Sequence, residues 1–99
     1  MNTSGTKPIF VRIKCELGMT YKVADLIMDT IEETGGIYST SGTYDLLVQF
    51  NLPVSESIGR FVNERLHKIA GIRDTETLIV FNVFGRLAKD VVWTEEDRF

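Results

Sequence analysis

Two short stretches of this 99-residue chain hold side chains that burial alone does not explain. The first, "SGTYD" at residues 41–45, ends on the carboxylate of Asp45 immediately before the apolar run Leu46, Leu47, Val48. Aspartate is a poor strand former and costly to bury as an ion, so Asp45 must find donors. Backbone N–H groups around a turn can supply them, or a cation from outside the chain can. The second stretch, "GIRDTETLIV" at residues 71–80, sets Thr75 and Thr77 two apart, on one face of a strand that then turns apolar. Paired hydroxyls can bind a polar ligand, and β-branched threonine is equally at home where a strand begins.

The remaining reactive groups have plainer accounts. His67 is the only histidine and lies between Arg65 and Lys68 on the polar flank of a helical pattern, where a solvated position explains it, since a metal needs several ligands converging. Glu32 and Glu33, and Glu95, Glu96 and Asp97, are neighbours in sequence, so their side chains diverge and form no acid/base pair. Cys15 is the only cysteine, which excludes an internal disulfide and a cysteine-rich zinc site and fits a reducing compartment. It falls on an apolar strand face and reads as a buried structural thiol. There is no G-x-G-x-x-G, P-loop or G-x-S-x-G pattern, and Ser39 and Ser41 have no base beside them in sequence. No catalytic residue, metal or cofactor is expected.

The elements that must position these residues follow from periodicity. Residues 9–17 alternate, with Ile9, Val11, Ile13, Cys15 and Leu17 on one face of a half-buried strand. Val23, Ile27 and Ile31 then recur every four residues, predicting a helix from about Tyr21 to Thr34, capped by Thr20 and ended by Gly35 and Gly36. Strands over 36–41 and 44–51 flank Gly42 and Thr43, read as a two-residue type II′ turn that needs positive φ at Gly42. After Pro53, Ser55 or Ser57 caps a second helix with the face Ile58, Phe61, Val62, Leu66 and Ile69, ended by Gly71. The last strand, about 72–84, is apolar on both faces: Ile79, Phe81 and Val83 on one, Leu78, Val80 and Phe84 on the other.

The order βαββαβ predicts an α+β, ferredoxin-like fold, a four-stranded antiparallel sheet with two helices on one face. The other sheet face stays open, and Leu47 with an apolar last strand would leave a large patch in water, so a face-to-face sheet dimer is expected. The chain allows one domain, 9–84, between a disordered polar leader, 1–8, and a C-terminal extension, 85–99, whose Leu87, Val91 and Trp93 favour packing over fraying. A formal charge of −3 with eleven scattered Lys and Arg residues gives no nucleic-acid footprint. With no signal-like h-region and no run near the ~18 apolar residues of a membrane helix, a cytoplasmic protein without membrane association is expected.

Together, "YSTSGTYDLLV" and "IAGIRDTETLIV" at this spacing resemble the effector-binding module of the Lrp/AsnC (feast/famine) regulators over about residues 8–84. In that family the stretches appear as a Gly-x-Tyr/Phe-Asp hairpin and a Gly-Val/Ile…Thr-x-Thr strand entry. The resemblance implies a sheet-to-sheet dimer, commonly four dimers in an octameric ring, with an amino-acid effector between dimers. It places Gly42, Thr43, Tyr44 and Asp45 at that site and joins Thr75 and Thr77 to them. Family members carry an N-terminal helix-turn-helix that reads DNA, whereas only eight polar residues precede the first strand here. The expectation is therefore a stand-alone module that binds no operator directly and acts through a DNA-binding paralogue, or serves as a metabolite sensor or carrier. Two other classes fit the same fold. One is a small dimeric monooxygenase or isomerase, which would need a cleft lined by groups such as His67 or Trp93. The other is an oligomerisation partner without ligand, in which Asp45, Thr75 and Thr77 are turn and strand chemistry alone.

Overall fold

The computed structural model describes residues 5–82. The elements are β1 (Thr6–Cys15), α1 (Thr20–Thr30), β2 (Thr34–Ser39), β3 (Leu46–Pro53), α2 (Ile58–Phe61) running straight into one π-helical turn (Val62–Leu66), and β4 (Ile72–Ile79). The order is βαββαβ, and every pairing in the sheet β2-β3-β1-β4 is antiparallel. The chain has the expected ferredoxin-like α+β architecture.

Alternation decides which face the helices cover. Ile9, Val11, Ile13 and Cys15 of β1 and Leu46, Val48, Phe50 and Leu52 of β3 are buried, together with Val23, Ile27 and Ile31 from α1 and its end and Phe61, Val62 and Leu66 beyond Pro53. Phe50 meets Phe61 edge-on, ring centroids 4.9 Å apart, which joins the sheet to the second helix. The π-helical turn serves this packing. Its wider winding, closed by the His67 N–H on the Val62 carbonyl at 2.9 Å, brings Phe61 and Leu66 onto the buried side together. An ordinary helix was expected from the same apolar face, and periodicity alone does not register one inserted residue.

Several boundaries differ from the sequence reading. β1 begins at Thr6, and Leu17 is 97% exposed in the turn that follows Cys15. Met19 occupies the N-cap of α1 without a side-chain bond, and Thr20 is the first helical residue. The helix ends at Thr30, and Gly35 and Gly36 belong to β2. A Cβ on Gly35 would lie 2.8 Å from Asn51 Nδ2, so a larger residue there would displace the end of the Asn51 side chain. Ser57 caps α2, its hydroxyl accepting the Arg60 N–H at 3.3 Å. β4 ends at Ile79, and Val83 and Phe84 lie outside the described residues, as does the extension from 85 with Trp93.

Among the described residues, the open face mixes charged and apolar side chains. Arg12 sits directly between Leu47 of β3 and Glu76 of β4, and Lys14 opposite Asp74. Among the described residues its apolar members include Phe10 and Leu78, opposite each other, and Leu47 and Tyr38, also opposite.

Candidate functional site

The expected two-residue turn at Gly42 and Thr43 is a longer loop, since β2 stops at Ser39 and β3 starts at Leu46. Gly42 has φ of +100°, so the need for glycine at that position holds although the turn type does not. The loop is held at its base. Thr40 donates its N–H to the Asp45 carbonyl at 2.9 Å and its hydroxyl to the Tyr44 carbonyl at 3.0 Å. Lys14 Nζ donates to the Thr43 carbonyl at 3.0 Å.

Asp45 is the anchor. Its N–H donates to the Ile13 carbonyl at 2.9 Å, and its carboxylate oxygen Oδ2 accepts the Cys15 N–H at 2.8 Å. The register of β1 against β4 shifts between Lys14, opposite Asp74, and Cys15, opposite Ile72. The carboxylate thus satisfies a backbone donor at the point where the ladder becomes irregular. The Cys15 thiol, buried beside it, lies above its ordinary pKa, chiefly through desolvation and then through the Asp45 charge, against a smaller lowering by a hydrogen bond to Thr20.

The loop separates two depressions. One, of about 470 Å³, lies between the start of α1 and the loop base and is lined by Gly18, Thr20, Tyr21, Ser39, Thr40 and Asp45. The other, of about 450 Å³, opens on the uncovered sheet face, where Thr43, Tyr44 and Leu47 surround Arg12 and Glu76. Arg12 Nη1 and Glu76 Oε1 are 3.3 Å apart, and the guanidinium carbon stands 6.0 Å from the Tyr44 ring centroid. Arg12 and Glu76 carry no signal in the periodicity beyond strand alternation, and only the register Leu47, Arg12, Glu76 across three strands puts them beside the loop.

Thr75 and Thr77 share one face of β4, as their spacing implies, but it is the helix-side face, opposite Ile13 and Val11. Thr75 Oγ1 is 2.8 Å from His67 Nε2, so the histidine read as merely solvated ties the end of the second helix to β4. Within one chain, then, Thr43 and Tyr44 share a depression, Asp45 lines the other, and the two threonines of β4 line neither. His67 lines neither as well. Among the described residues no three His, Cys, Asp or Glu side chains are grouped to hold a metal ion, and no helix is long and apolar enough to cross a membrane.

The family model for the Lrp/AsnC ligand binding domain matches residues 9–86. An uncharacterized HTH-type transcriptional regulator of Pyrococcus abyssi is 27% identical over 85 residues, covering 83% of this chain and 55% of that protein. Another from Pyrococcus horikoshii is 29% identical over 84 residues, covering 82% and 54%. The chain spans about half the length of these curated relatives. Among solved structures, AsnC of E. coli superposes with a TM-score of 0.68 at 24% identity, over 83% of this chain and 56% of that one. A transcriptional regulator of Neisseria meningitidis in complex with L-Met superposes at 0.70 with 16% identity, over 85% and 55%. At these identities the structures speak to the fold, which is the one described above.

Proposed function

This chain belongs to the family of Lrp/AsnC ligand binding domains, and from that membership we propose that it is a non-enzymatic sensor module that binds an amino acid or a related small metabolite. Its relatives are transcriptional regulators, and the module acts on transcription through a DNA-binding partner rather than by touching DNA with the ligand-binding fold. The observation that carries this reading is the loop Thr40–Asp45, clamped at its base by Asp45 and Thr40 and flanked by two depressions large enough for a small metabolite. The L-Met bound by the Neisseria regulator supports the ligand class.

The effector site takes Gly42, Thr43, Tyr44 and Asp45 from one subunit. Thr75 and Thr77 come from another, because one chain holds them on the helix side of β4, away from both depressions. Such a site exists only in an assembly. The dimer forms through the open sheet face, where Phe10, Leu47 and Leu78 supply apolar contact, and dimers join into a higher ring, an octamer. The ligand acts by its differential affinity for the assembled form.

The test is a thermal-shift screen of the common L-amino acids, followed by sedimentation velocity with each hit. A compound at one hundred times its Kd adds about 2.7 kcal/mol, several degrees for a domain of this size. At least one amino acid is expected to raise Tm and to change the distribution of oligomers. A flat screen overturns the amino-acid reading in favour of a ligand-free oligomerisation partner or a ligand outside the amino acids.

A further inference from the structure

We infer that the effector is an amino acid with a large apolar side chain, of the size of Leu, Met or Phe, and that this side chain lies in a groove between α1 and β2 against Tyr21, Ala24, Met28 and Ile37. The inference rests on the sensor reading above and names the residues that choose among amino acids.

Two adjoining depressions carry it. The one at the loop base, of about 470 Å³, is lined by Asp45 and by the hydroxyl-bearing Thr20, Ser39 and Thr40. A second, of about 240 Å³, has Ala24 and Met28 of α1 and Ile37 and Leu46 of the sheet in its wall. Tyr21 and Ser39 line both, so the two form one groove with a polar end and an apolar end. Tyr21, Ala24 and Met28 are three and four residues apart and form one row along α1. Ile37 and Ser39 pair with the buried Val48 and Leu46, so they stand on the helix side of the sheet. Because β2 is an edge strand, the row on α1 extends past the sheet, and Tyr21 and Met28 are left 80% and 58% exposed. The sheet-to-sheet dimer covers the opposite face and leaves this groove accessible. The proposed contact between dimers involves the loop, which adjoins the polar end.

The charges in the groove sort the candidates. Among the described residues, the charged groups in its lining are Asp45 at the polar end and Asp25 at the apolar end. Asp45 gives Oδ2 to the Cys15 N–H and has its second oxygen for the effector's ammonium. An acidic side chain running along α1 would meet Asp25 with no cation between them, which disfavours Asp and Glu. An amide side chain would give up water against Met28 and Ile37, which offer it no hydrogen bond. A methyl group would leave the apolar end in water. A Leu, Met or Phe side chain instead covers Tyr21, Met28 and Ile37 and is covered by them.

The test is isothermal titration of the wild type with Leu, Met and Phe against Ala, Asn, Lys and Glu. Burial of the large side chain is expected to favour the best of the first three over Ala by about tenfold or more. The double variant Tyr21→Ala, Met28→Ala removes the two exposed walls of the groove and keeps good helix formers in α1, so it is expected to fold, which circular dichroism checks. It should weaken the best apolar amino acid about tenfold while changing Ala less than twofold. Should the pair fail to fold, Met28→Ala alone is titrated, with an expected loss of about threefold. If Ala, Asn, Lys or Glu binds the wild type as tightly as the apolar amino acids, or if the variant loses Ala and the apolar ligand equally or loses neither, the side-chain assignment is overturned and the sensor reading stands. If no amino acid binds the wild type, this inference falls together with the amino-acid reading.

Discussion

The carboxylate of Asp45 accepts the backbone N–H of Cys15 at 2.8 Å across 30 residues of sequence. It fixes the end of β1 to the base of the loop that leads into β3. Removing the carboxylate leaves that N–H without its partner, so Asp45→Ala is expected to cost about 1–3 kcal/mol. Asp45→Asn, which keeps an acceptor oxygen, should cost less. Urea unfolding of the two variants checks the order, and equal losses would argue against the bond as the cause.

The same pairing bears on the thiol. Burial and the neighbouring Asp45 charge both disfavour the Cys15 thiolate. Cys15 is therefore expected to resist a thiol reagent in the folded protein and to react readily once the chain is unfolded in urea. Asp45→Asn removes the second of the two causes, and the folded-state reaction should become faster at a given alkaline pH. An unchanged rate in a variant that remains folded would show that burial acts alone.

Arg65 grips Glu33 through two hydrogen bonds, at 2.8 and 2.7 Å, between the π-helical turn and the start of β2. The Arg65 hydrogen bonds hold the Glu33 carboxyl below its ordinary value of 4.5 against opposing desolvation. A carboxyl whose folded pKa is depressed contributes stability above the unfolded value and loses it as pH falls through the folded one. Glu33→Gln should therefore cost about 1 kcal/mol near neutral pH, discounted for the partial exposure of Arg65. The difference from wild type should shrink as pH falls below 4.5. Denaturant melts across that window measure it, and a pH-independent difference would contradict the account.

Two glycines separate strain from crowding. Gly42 and Gly71 both have positive φ, +100° and +96°, but an added Cβ meets open space at Gly42. At Gly71 it would lie 2.8 Å from Val23 Cγ2 and 2.9 Å from Met19 Cε. Gly42→Ala is expected to cost about 1–2 kcal/mol for the backbone alone. Gly71→Ala should cost clearly more, because buried Val23 must also move. Thermal melts of the two variants decide, and equal losses would remove the crowding contribution.

The proposed sheet-to-sheet dimer is expected to persist at micromolar concentration in sedimentation equilibrium. Leu47→Lys, in the middle of the open face beside Arg12, should shift it toward monomer with the fold intact. A wild-type monomer at those concentrations rules the dimer out.

The architecture was legible because one face of β1 and β3 is buried and alternation records that directly. The residues Ile9, Val11, Ile13, Leu46, Val48 and Phe50 announce their strands and their face. Helix ends were less legible. The Gly35 and Gly36 pair looks like a helix stop but belongs to β2, whose pairing with β3 joins residues far apart in the chain. The π-helical turn is hidden for a similar reason, since its cause is the shared burial of Phe61 and Leu66 against the sheet.

The positive φ at Gly42, the buried thiol of Cys15 and the need of Asp45 for donors could be derived from residue type and neighbours, because each is a local property. Which donor Asp45 takes could not, because Cys15 comes within reach only when β1 and β3 pair. The same holds for Thr75 and Thr77. Their spacing put them on one face, but only the register against Ile13 and Val11 decided that it is the helix side. Arg12 and Glu76 are ordinary strand charges until a sheet assembled from three distant segments sets them side by side beneath the loop. Side-chain periodicity is written along the chain, whereas the meeting of opposite charges depends on strand order and register, which the packed sheet alone establishes.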